Sequence, residues 1–197
     1  KQHAGQAAAQ PIDSRLVRLI LAYGLFGFGY VITATFIVAI VRGAPAIRAL
    51  EPVIWIIFGL AAAPSVAIWT RVAARLGVPA AFALAAIVEA CGVLASVAWP
   101  SEIGLSLAAV LVGGTFMGLT ALGLIRARAL ASGAPRRALA LMTAAFGLGQ
   151  IIGPSFAGAL SDRLGGFAAP SLVAATALLI AAALAWENRV LVLRPGQ

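Results

Sequence analysis

Six long apolar runs, parted by short breaks that carry arginine, glycine or proline, fill the chain from Leu16 almost to its end. They cover Leu16–Val41, Pro52–Thr70, Pro79–Ala98, Ile103–Ile125, Ala138–Leu160 and Ala168–Trp186. A helix of about 20 apolar residues crosses roughly 30 Å of hydrocarbon, and the runs have that length. Inside lipid, backbone polar groups must pair within the segment or within a closed barrel. The runs do not alternate polar with apolar positions, which excludes a barrel. The pattern predicts an all-α polytopic membrane protein of six transmembrane helices, a bundle over residues 16–187. Residues 1–15 read as a polar linker or tail and 188–197 as a second tail. The chain opens on Lys1 rather than Met, so a preceding segment is expected.

Charge fixes the predicted orientation. With the amino terminus inside, Lys1, Arg15, Arg18, Arg71, Arg75, Arg126, Arg128, Arg136, Arg137, Arg189 and Arg194 lie on the inner side. Only Arg42, Arg48 and Arg163 of the 14 Lys and Arg fall outside. That asymmetry places both termini in the cytoplasm and the bundle in the cytoplasmic (inner) membrane. The net charge of +8 is therefore an orientation signal rather than a nucleic-acid footprint. The arginines of the fourth-to-fifth loop also suit anionic lipid. The partners implied are the bilayer and a small-molecule substrate, with no nucleic acid. Cys91 is the single cysteine, so no disulfide framework exists, and it reads as a small buried side chain.

Polar residues within spans are few, and each asks for a reason. Glu89 is the only acid well inside a run. A charge at the bilayer centre costs about 2.5–3.5 kcal/mol on insertion scales, so Glu89 must meet protein, water or a proton. It is a candidate coupling carboxylate, with a helix–helix contact as the plainer reading. Gln150 shares a helix face with Thr143, Gly147 and Pro154. Tyr23, Phe26, Tyr30 and Thr33 share another. Tyr23, Tyr30, Thr33, Thr143 and Gln150 are the candidate cavity residues. Interhelical hydrogen bonding is the alternative for Gln150, and interfacial anchoring for Tyr23. Trp55, Trp69, Trp99 and Trp186 fall near span ends, as an aromatic belt would. Pro64 and Pro154 each remove a backbone donor and predict helix kinks. Gly114-x-x-x-Gly118 and Gly149-x-x-x-Gly153 offer grooves for close helix packing.

An internal repeat runs through these features. Phe58-Gly59-Leu60 returns as Phe146-Gly147-Leu148, Gly59-x-x-x-x-Pro64-Ser65 as Gly149-x-x-x-x-Pro154-Ser155, and Arg75-Leu76-Gly77 as Arg163-Leu164-Gly165. Each match sits in or just after the second helix of a three-helix group. Three spans per group turn the second copy over in the membrane, the inverted pattern of many secondary transporters.

With Tyr23-Gly24-Leu25-Phe26-Gly27-Phe28-Gly29-Tyr30 and Thr35-Phe36 in the first span, and Gly149-Gln150-Ile151-Ile152-Gly153-Pro154 followed by Gly158-Ala159-Leu160-Ser161-Asp162 in the fifth, the chain resembles the carboxy-terminal half of a major facilitator superfamily transporter. Within that superfamily it resembles the YbfB/YjiJ-type branch. The resemblance implies half of a twelve-helix carrier that works by alternating access, its cavity lined by the first, second, fourth and fifth helices. It also implies a partner: an amino-terminal six-helix half, in the same chain or separate, or a second copy. One motif departs from the family. The loop after the second span reads Arg71-Val72-Ala73-Ala74-Arg75-Leu76-Gly77, with Ala74 at the acidic position. The full Gly158-x-x-x-Asp162-Arg163-x-Gly165 pattern lies at the opposite face.

Catalysis finds no support in the residues. The only histidine is His3, in the leading tail, so no membrane Ser–His pair exists. No metal-ligand spacing, phosphate loop or cofactor motif is present. The function expected is secondary transport of a small solute, with proton coupling through Glu89 as an option. The alternative is a non-transporting six-helix scaffold or a channel-like oligomer.

Overall fold

A computed structural model describes residues 13–43, 45–131 and 133–186, and the side chains of all of these except Pro45 and Ala46. The tails expected at 1–15 and 188–197 lie outside the described residues, apart from residues 13–15. The helices are α1 (Ser14–Arg42), α2 (Ile54–Ala62), α3 (Ser65–Leu76), α4 (Val78–Ala98), α5 (Glu102–Leu130), α6 (Pro135–Leu164) and α7 (Ala168–Ala185). A short 3-10 turn, Pro45–Leu50, follows α1. No strand occurs among the described residues. Five helices are long and apolar enough to cross a membrane, and the bent pair α2–α3 passes the same test when the two are taken together as a sixth.

Local chemistry sets the ends of these helices. The Asp13 carboxylate accepts from the Arg15 backbone N–H at 2.8 Å, and the Ser101 hydroxyl accepts from that of Gly104 at 3.1 Å, as N-caps do. Pro79 and Pro135 stand in first turns, where a missing N–H costs nothing. Gly77 and Gly165, equivalent in the repeat, end α3 and α6 with φ of 87° and 74°. That region is nearly closed to side chains other than glycine's.

The two prolines behave differently. At Pro64 the second span breaks into α2 and α3, inclined by 42°. The second half then continues to Leu76, beyond the Thr70 at which hydropathy ends the run. At Pro154, where the sequence also predicts a kink, α6 runs on without a break. Pro154 sits beside the α1 seam, where Gly153 packs against the Phe28 carbonyl.

The helices interlock as two three-helix groups. The second span of each group packs on the first helix of the other: α2 and α3 on α5, and α6 on α1. The third helices follow suit, α4 on α5 and α7 on α1, while α4 and α7 pack on each other. The starts of α1 and α4 meet the ends of α5 and α7 around one small pocket lined by Arg15, Val78, Arg126 and Leu184. The α5 group therefore runs opposite to the α1 group, which is an inverted repeat.

Glycine seams set the distances. A Cβ on Gly113 would meet the Phe58 carbonyl oxygen at 2.3 Å, and one on Gly149 the Gly24 carbonyl oxygen at 2.3 Å. Without a hydrophobic drive between helices in lipid, such close contact is what holds them together. Ser65, directly after the break, reinforces one seam. Its hydroxyl donates to the Gly114 carbonyl at 2.7 Å and accepts from the Gly118 N–H at 2.9 Å. Those are the two groups that pair within an uninterrupted helix. The Trp69 indole donates to the same carbonyl at 2.8 Å. Trp69 is thus buried against α5 and is not a belt residue. Ser65→Ala is expected to lower unfolding stability in detergent by about 1–2 kcal/mol, because two buried groups lose a shared partner. An unchanged melting curve would show that the Gly114–Gly118 pair closes without the hydroxyl.

Much of the outer surface is apolar, with Leu60, Ile103 and Ile151 each more than two-thirds exposed, as a lipid-facing surface requires. Cys91 belongs to this outer surface and is not buried as hydropathy alone suggests. At the end opposite the arginine-rich one, Arg42 donates to Glu51 at 2.6 Å. This hydrogen bond, with the Arg42 charge, holds the Glu51 carboxyl below its ordinary range. Whatever stability the pair supplies is present above the unfolded carboxylate pKa of about 4.3 and disappears as pH falls through the lower folded value. Both groups are solvent-exposed, so Glu51→Gln is expected to leave the melting temperature at neutral pH nearly unchanged. A clear drop would mean the pair clamps the loop after α1.

Candidate functional site

Four aromatic rings, one from each of α1, α2, α5 and α6, form a continuous stack. Tyr30 of α1 lies on Phe116 of α5 with centroids 4.6 Å apart and planes 20° off parallel. On its other side Tyr30 stacks on Phe146 of α6 at 5.6 Å and 11°. Phe116 reaches Phe58 of α2 at 6.4 Å. The Gln150 amide, one turn beyond Phe146, donates to the Tyr30 hydroxyl at 2.6 Å. A buried phenol and a half-buried amide are thereby paired at mid-span.

The stack links the two three-helix groups. Phe58 and Phe146 are repeat equivalents, and Tyr30 and Phe116 belong to the equivalent helices α1 and α5. A Cβ added to Gly59 or Gly147, the residues after the two phenylalanines, would meet no atom within 4 Å, so both glycines front open space. Thr143 is exposed on the same side of α6, one turn before Gly147. Both glycines front open space next to an aromatic ring, and an amide lies one turn from Phe146, groups that can hold a small solute by stacking and by a few hydrogen bonds.

The sequence candidates divide between this face and the bundle interior. Gln150, Tyr30 and Thr143 belong to the face. Tyr23 is 3% exposed, with its ring packed against Gly123 and Phe146, so it is neither an open cavity residue nor an interfacial anchor. Thr33 is 1% exposed, and its hydroxyl has no hydrogen-bond partner among the described residues. Glu89 is fully enclosed on α4, and neither carboxyl oxygen has a hydrogen-bond partner among the described residues. Glu89 does lie within electrostatic reach of Tyr30. Asp162 and Arg163 are exposed on the last turn of α6, while Gly158 lies mid-helix near Phe36. Arg75 and Gly77 end α3. These loop-motif residues are remote from the aromatic stack. Sequence reasoning passed over Phe58, Phe116 and Phe146 as site residues. The repeated Phe-Gly-Leu string was the signal that marked two of them.

Among the described residues, no group of His, Cys, Asp or Glu is placed to hold a metal ion. Long apolar helices in an inverted repeat define a polytopic α-helical membrane protein. The family model described as "Uncharacterised MFS-type transporter YbfB" matches residues 1–186. The chain belongs to that family of major facilitator transporters. No curated protein matches it.

Proposed function

We propose that this chain is one six-helix half of a secondary active carrier, moving a small solute across the cytoplasmic membrane by alternating access and drawing on a proton gradient. The aromatic stack with the Tyr30–Gln150 bond supports the reading most directly. It joins α1 to α6, and Gly59 and Gly147, the residues after two of its rings, both front open space. A second six-helix half, covalently attached or separate, closes that space. The broken span at Pro64 and the glycine seams suit helices that slide and re-pack. Both termini lie on the cytoplasmic side, as the arginine asymmetry requires.

The test is reconstitution of the full-length protein into vesicles holding a pH-sensitive dye, followed by a panel of small solutes. Solute-dependent proton movement, abolished by Gln150→Ala and weakened by Tyr30→Phe, is the expected result. Stepwise conductance in planar bilayers would replace the carrier with a channel-like oligomer. Absence of both solute flux and conductance, with insertion verified, would leave the scaffold. Orientation has its own check. In spheroplasts, a cysteine at Arg137 is expected to resist a membrane-impermeant maleimide, and one at Arg48 to react. The reverse labelling would invert the topology.

A further inference from the structure

One face of α1 looks out of the bundle between α6 and α7. Leu21, Leu25 and Phe28 follow Arg18 by three, seven and ten residues, so the four share a stripe. Leu25 and Phe28 form a ridge with an apolar groove on each side. The groove towards α7, about 410 Å³, is lined there by Leu172, Val173, Thr176, Ala177 and Ile180. The groove towards α6, about 290 Å³, is lined there by Ala145, Leu148, Gly149 and Ile152. Thr176 is the one polar side chain in the two linings. Its hydroxyl donates back to the Leu172 carbonyl at 2.8 Å, so neither groove asks for a polar occupant.

The dimensions are those of one leaflet. At about 1.5 Å per residue, Arg18 to Phe28 spans about 15 Å, half of a hydrocarbon core about 30 Å thick. Phe28 is the midpoint of α1, and its ring meets Phe156 of α6 at 5.8 Å, one turn beyond the last groove residue of that helix. At the other end both walls run to arginine. Arg137 lies on the α6 face of Leu148 and Ile152, eleven and fifteen residues before them. α1 and α6 run parallel, with Gly24 against Ala145 and Gly153 against Phe28, so Arg18 and Arg137 stand at the same end. Both are exposed. An occupant that is apolar through one leaflet, forked around a ridge and anionic at its head is a phospholipid. A partner helix would strike the ridge head-on and would carry both arginines into its contact.

We propose that the α1 face between α6 and α7 binds one anionic diacyl phospholipid of the leaflet at the arginine-rich end, its two chains astride Leu25 and Phe28 and its phosphate between Arg18 and Arg137. A guanidinium suits a phosphate because its planar fork donates two hydrogen bonds at once. The site is independent of transport, since a scaffold of the same fold would carry it equally. It supplies contact where the bundle has little. α6 packs chiefly on α1 and only slightly on α7, and it has the smallest buried share of the single-helix spans. A lipid seated on both sides of the ridge touches all three helices and holds α6 in place. The charge pair is particular to this leaflet. The repeat counterparts of Arg18 and Arg137, as far off as Phe58 is from Phe146, are Ser106 and Ala49, so the repeat-related face lacks it.

Native mass spectrometry of the full-length protein, released from bilayers of equal phosphatidylglycerol and phosphatidylcholine, tests this. One phosphatidylglycerol retained in preference to phosphatidylcholine is expected. The preference should fall roughly thirtyfold when Arg18→Gln and Arg137→Gln are combined, the effect of two arginines at a membrane surface. Thr176→Trp with Leu148→Trp, which fill the grooves, should remove the lipid, while Arg163→Gln at the opposite end should not. Glycerol phosphate, the same head without chains, should fail to displace it. Retention without preference overturns the site, as does an Arg163→Gln loss equal to that of the double variant. Displacement by glycerol phosphate would make it a soluble-anion site instead. A lipid-free dimer that Thr176→Trp breaks would give the face to a second copy. Should the arginine variants misfold, the native protein decides through phosphatidylglycerol with a photoreactive acyl chain. Adducts between Leu21 and Phe28 and on the facing turns of α6 and α7 are expected, and adducts spread equally over α4 overturn the site.

Discussion

Gly113→Leu is expected to be the most damaging single substitution in the described bundle, lowering unfolding stability by about 3 kcal/mol or more. The Cβ alone would sit 2.3 Å from the Phe58 carbonyl oxygen and 3.1 Å from its carbon. Backbone atoms cannot rotate aside as a side chain can, so α2 must leave α5. Displacing α2 also pulls Phe58 from Phe116 and strains the Ser65 bridge. Thermal unfolding in detergent, followed by size-exclusion monodispersity, measures the effect. If Gly113→Leu melts with the native protein, α2 is not held where the structure places it. Gly59→Ala is the matched control, because its Cβ meets only open space.

Glu89→Met is expected to act in the opposite direction on stability, raising it by about 2 kcal/mol. Methionine keeps the unbranched length of the side chain and removes two polar atoms that have no partner. A buried charge or acid replaced by a well-packed apolar group commonly stabilises. Proton-coupled accumulation of solute should be lost in the same variant, the pattern of a residue kept for function at the expense of stability. Should Glu89→Met melt earlier, the carboxyl must have a partner that stabilises the fold, and its role is structural.

The sequence makes some of this legible for a plain physical reason. Apolar length reports whether a segment crosses lipid, so six spans and the break at Pro64 can be read from the chain. It does not report which face of a span turns inward, because lipid and helix interior are about equally apolar. Cys91 and Trp69 illustrate this. Hydropathy puts the first inside and the second at the interface, while packing reverses both. Small residues report better than large ones: Gly149-x-x-x-Gly153 does receive α1, since only a missing side chain admits a backbone so close. The Tyr30–Gln150 bond was out of reach of any local pattern. Both residues stood among the candidates, yet nothing along the chain says that they meet.

That bond joins residues 120 apart in sequence, and the separation bears on how the protein is made. α6 is the least apolar of the single-helix spans, with hydropathy 1.4, and its main neighbour is α1, the first span of this bundle. Throughout translation of α2 to α5, the glycine face of α1 waits in the bilayer without its match. A ribosome stalled before Pro135 would leave that face open to the wrong helix or to a membrane protease. Quality control during biogenesis should therefore be most sensitive to the arrival of α6, and truncations on either side of it should differ sharply in lifetime.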